Sequence, residues 1–193
     1  MRSASFIGFF RVQCLKTDGG ERHDSASYRA GVTTGIVSPQ SGGFLSGIGA
    51  AFSLGAPHKL AHGAIVQRAG AMHVAIHHRE TQSVSTQVAA LRRLLLDSDQ
   101  EEGELGAWFA RIRKGEATLA VDAESVDVVA TIIELKQEIE ETLKVANRGK
   151  KLKVTITGGR EAHLLARELG EAGVGVLLTP PRPIPKEWEA HRM

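Results

Sequence analysis

Residues 151–180 read KLKVTITGGREAHLLARELGEAGVGVLLTP, and this stretch decides the fold. Val154, Thr155, Ile156 and Thr157 form a β-branched run that stops at Gly158 and Gly159, after which the spacing turns helical. A second glycine-bounded apolar run, VGVLLTP, follows and is closed by Pro180. Upstream, ATLAV at 117–121 reads as a strand, and ESVDVVATIIELKQEIEETLKVANRG at 124–149 reads as a helix with a glycine stop. Strand, helix, strand, helix, strand predicts a parallel βαβαβ block with right-handed crossovers. The residues after Val121, Thr157 and Thr179 then share the rim along which α/β folds bind ligands. The glycine pair itself has two meanings at such a place. It is either an anion cradle formed by Gly158, Gly159 and Arg160 at a helix N-terminus, or a bare strand end in a barrel.

Working outward, LGAWFARIRKG at 105–115 predicts a helix with Leu105, Trp108, Phe109 and Ile112 on its apolar side. SVSTQVAALRRLLLDS predicts another, capped by Ser83 or Ser85, with Val88, Leu91, Leu94 and Leu95 on one face and its end near Asp97. The absence of a G-x-S-x-G turn argues against a serine nucleophile there. AIV and AMHVAI, within residues 58–78, read as two short strands separated by a turn at Gly70. QSGGFLSGIGAAFSLGAP reads as a long glycine-rich loop without a dinucleotide or P-loop fingerprint. Within it Ser41, Gly42, Gly43, Gly47 and Gly49 are candidates to face a ligand. AGVTTGIVSP at 30–39 is a β-branched strand stopped by Pro39, after a short helix around 25–29. Residues 1–23 read as a leader or irregular segment, and 24–193 as one domain.

At 193 residues the chain can bury a sizeable core, yet it is short for a complete (β/α)8 barrel, which takes about 250. With 24 basic and 22 acidic residues and few aromatics, it carries neither the basic stripe nor the stacking platform of a nucleic-acid binder. The apolar run Phe6 to Phe10 is too brief for a membrane span. One cysteine, Cys14, excludes an intrachain disulfide and fits a reducing, cytoplasmic setting.

YRAGVTTGIVSPQSGGFLSGIGAAFSLG, SVSTQVAALRRLLL and the stretch from ATLAVDAESVDVVATIIELK through VTITGGREAHLLARELGEAGVGVLLTPPRP together resemble the metal-dependent amidohydrolases related to imidazolonepropionase and dihydroorotase, in a fungal-type branch. The resemblance spans roughly residues 24–193. It implies a (β/α)8 barrel of parallel strands and crossover helices, present here only in part. It also implies zinc or manganese at the strand ends, activating water against a carbon–nitrogen, non-peptide bond of a small cyclic amide.

Against that pattern the chain is degenerate. No His-x-His occurs, Asp122 stands where the resemblance calls for one histidine, and Gly158 stands where it calls for another. A catalytic zinc normally takes three protein ligands, so an impaired or inactive site is expected. Asp122 is left as a metal candidate, with capping of the helix near Ser125 as its alternative and Glu124 and Asp127 competing for that cap. His58, His62, His73, His77 and His78 are expected to be surface or satisfied histidines; on a strand His73 and His77 would lie about 13 Å apart. His163 is expected to pack on the helix after GGRE. The expected partners are a small-molecule ligand and either a second copy or another chain that completes the open barrel edges.

Overall fold

The structure, a computed structural model, describes residues 27–37, 43–78, 82–97, 103–143 and 151–178. Two compact units meet in the chain between His73 and Val74.

In the first unit a helical turn at 27–29 leads to β1 (Thr34–Val37), β2 (Leu45–Ser53) and β3 (Ile65–Ala75), the last of which runs into the second unit. β1 and β2 pair antiparallel, from Thr34 opposite Ser53 to Val37 opposite Ala50. This departs from the expected all-parallel arrangement, because residues 38–44 are too few for a crossover of about a dozen residues or more. Two further expectations are corrected. The glycine-rich stretch is not a loop but contains the whole of β2, and Gly70 does not turn the chain but lies inside the continuous strand β3.

At two of the strand glycines a ring occupies the space that a side chain would need. Gly35 stands opposite Phe52, and a Cβ there would come within 2.9 Å of the Phe52 ring. At Gly49 a Cβ would collide with the His73 imidazole and lie 2.8 Å from the Val37 carbonyl oxygen. Counting glycines as loop residues therefore misreads this region.

The second unit follows the sequence pattern closely. α1 (Val84–Leu96) and α2 (Glu104–Arg113) precede β4 (Thr118–Ala123), α3 (Val126–Thr142), β5 (Lys153–Gly158), α4 (Ala166–Ala172) and β6 (Gly175–Leu178). β4 pairs parallel with β5, and β5 with β6. Ser83 caps α1 by accepting the Thr86 N–H, and Asp97 ends it. α3 was expected to run to Gly149; its described part ends at Thr142, and 144–150 lie outside the described residues. The single helix expected after GGRE is instead a 3-10 turn (Ala162–Leu165) followed by α4, which ends on left-handed Gly173.

Phe109, Ile112, Val121, Val129, Ile139 and Ile156 are fully buried between these helices and strands. Amid them Lys136 is only 3% exposed. Its ammonium donates to Glu140 Oε1 (2.6 Å) and to the Ala172 carbonyl (2.8 Å), while the same Glu140 oxygen accepts the Leu152 N–H (2.8 Å). A buried charge is tolerated only when partnered in this way. The network fastens α3 to the end of α4 and to the approach to β5.

Candidate functional site

The parallel register aligns the strand ends. Asp122 lies opposite Thr157, Ala123 opposite Gly158, and Gly158 opposite Leu178. The expected rim therefore forms across β4, β5 and β6, although Thr179 lies outside the described residues.

Asp122 does not cap α3. Ser125 Oγ accepts the Val128 N–H (3.4 Å) and Glu161 Oε2 accepts the Val126 N–H (2.8 Å), so the first turn is satisfied from two other residues. The Asp122 carboxylate instead faces His77, with Oδ2 3.5 Å from Nε2. Both side chains reach solvent, at 50% and 29% exposure. His77 stands just beyond β3, where the Ile76 N–H bonds the Asp122 carbonyl (2.9 Å).

His77 is held by a residue that the sequence pattern conceals. Gln87 is fully buried on α1; its Oε1 accepts the His77 N–H (3.1 Å) and its Nε2 donates to the carbonyls of His77 (2.9 Å) and Gln82 (2.8 Å). Both backbone groups of His77 are thus engaged by one amide. A polar residue on the face that carries Val88 and Leu91 was the available signal, since buried amides require partners.

Gly158 has φ +86 and is buried; a Cβ there would lie 2.9 Å from Asp122 Oδ1. Gly159 has φ +54, and its N–H bonds the Ala123 carbonyl (2.9 Å), while the Glu161 N–H bonds that of Glu124 (3.1 Å). Arg160 is paired with Glu124 at 3.2 Å. The Gly159 and Glu161 N–H groups and the Arg160 guanidinium thus have partners within the protein.

The other candidates are spread out. Gly43 precedes β2, Gly47 and Gly49 are inside it, and Ser41 and Gly42 lie outside the described residues. His73 is buried in β3, His58 and His62 belong to the turns before that strand, and His78 and His163 are exposed. Among the described residues no three His, Cys, Asp or Glu side chains converge as a metal centre requires. None of the described helices is long and apolar enough to cross a membrane.

The parallel β4–β5–β6 block, its crossover helices and its strand-end rim make this an α/β fold. Its fold is similar to that of an amidohydrolase from Thermotoga maritima MSB8, with a TM-score of 0.67 and 17% identity, over 90% of this chain and 49% of that one. In sequence it is similar to Amidohydrolase tasK of Hapsidospora irregularis, 26% identical over 208 aligned residues that cover 86% of this chain. The match takes in only 21% of that protein's length. No family model matches the chain.

Proposed function

We propose that the chain is an amidohydrolase-related module that does not by itself hydrolyse carbon–nitrogen bonds, and that it acts by association. The observation that carries this is the donor set at the strand ends: Asp122 and His77 approach one another, while Gly158, the next position on the rim, offers no donor. Water activation needs a metal held by about three protein ligands with one position left open, and two donors fall short of that. Association is supported by β6, where Leu177 and Leu178 are 56% and 55% exposed on a strand paired with β5. Purified protein assayed on a panel of cyclic amides with zinc or manganese supplied should show no turnover, and its mass in solution should exceed one chain. Turnover, or a compact monomer of 20.7 kDa, would each defeat the corresponding half of the proposal.

A second reading is a metal-dependent hydrolase of cyclic amides in which His77 and Asp122 supply part of the ligand set. The 3.5 Å between His77 Nε2 and Asp122 Oδ2 favours it, since two ligands on one tetrahedral zinc with bonds of about 2.1 Å stand roughly 3.4 Å apart. In that case His77 and Asp122 would be two of the zinc ligands. Metal analysis of the wild-type chain beside Asp122→Ala separates the readings: stoichiometric metal lost in the variant supports the second, and no metal under saturating supply removes it.

A further inference from the structure

We infer that Asp122, His77 and Gly158 form a metal-independent tie between the ends of β3 and β4, in which the missing side chain at Gly158 is what lets the Asp122 carboxylate reach the imidazole. The inference rests on the reading that the described rim lacks a metal's ligand set, and it assigns that rim a different task.

Three observations converge on it. The His77 backbone is fixed from both sides by the buried Gln87 amide, so the imidazole is presented from an anchored position. The Asp122 backbone is fixed by the bond its carbonyl accepts from Ile76, which sets the carboxylate beside the same residue pair. Finally, the space a side chain at position 158 would enter is taken by Asp122 Oδ1, at 2.9 Å from the built Cβ, closer than carbon and oxygen tolerate without one of them moving. The imidazole and the carboxylate, anchored in this manner, stand 3.5 Å apart, within ion-pair distance of one another. A half-exposed pair of this kind shifts a folding equilibrium by about two- to fivefold.

Two double-mutant cycles on the full chain test this. In the first, His77→Ala and Asp122→Ala are combined, and the two substitutions should be coupled by about two- to fivefold in the unfolding constant. In the second, Gly158→Ala is made in the wild type and in Asp122→Ala. The positive φ strains alanine in both backgrounds, so that cost cancels, and the substitution should be less damaging where the carboxylate is gone. The melting midpoint of the wild type should be unchanged by EDTA or by excess zinc chloride. Additive effects in either cycle overturn the tie while leaving the proposed function standing. A zinc-dependent rise in midpoint that is lost in Asp122→Ala overturns both.

Discussion

The two units make strands by opposite means. In the second, the middles of β4 and β5 are aliphatic and β-branched, and Val121 and Ile156 there are fully buried beside helices with regular apolar faces. In the first, β2 is LSGIGAAFS, only Gly49 along it is buried, and its order depends on rings lying where side chains are missing. One architecture tolerates changes of detail and is sensitive to loss of volume. The other is sensitive to added volume. That contrast can be broken experimentally.

The largest effect is expected from Phe109→Ala. Phe109 is fully buried, so truncation should cost about 3–5 kcal/mol in a denaturant titration, with lost hydrogen-exchange protection across α2, β4 and α3. Next comes Lys136→Ala, which removes the ammonium shared by Glu140 and the Ala172 carbonyl and should cost about 2–4 kcal/mol, with faster exchange at Leu152 and in α4. Lys136→Met, which keeps the stem, should recover part of this. Gln87→Leu fills the same space but strands the His77 N–H and C=O; about 1–3 kcal/mol should be lost, and an NMR spectrum should show His77 displaced.

In the first unit it is added volume, rather than lost volume, that should destabilise. Gly49→Ala adds one methyl group against His73 and the Val37 carbonyl, and should destabilise by about 1–3 kcal/mol, with loss of exchange protection confined to β1, β2 and β3. An insensitive Gly49→Ala would dissolve the distinction between the units. The smallest effect belongs to Arg167→Ala, whose partner Glu171 shares an exposed position on α4; the change should stay within about 0.5 kcal/mol.

The same contrast explains what could be read from the letters. Helical spacing around Leu91, Phe109 and Ile132, a short apolar run at 118–121 and a β-branched run at 154–157 carry a local signal that survives folding, because the buried residues among them meet other apolar groups. At Gly35 and Gly49 the decisive partner is a ring elsewhere in the chain, Phe52 or His73, so local propensity points to a loop and is overridden. The rim was legible as a place, from the strand ends and from Gly158 standing bare at the end of β5. Its contents were not. His77 lies 45 positions before Asp122, and Gln87 is one polar letter among leucines, so neither spacing nor composition marks them as neighbours. Capping of α3 by Glu161 was hidden for the same reason, since it comes from 35 residues downstream.

Gly158 also limits which residues this strand end accepts. A histidine introduced there by a single substitution would meet a left-handed backbone at φ +86 and the oxygen of Asp122 at once. A side chain at this strand end thus requires adjustment both at Asp122 and in the turn between β5 and the 3-10 segment. Position 158 therefore selects glycine on two independent grounds, its backbone angle and the neighbouring carboxylate.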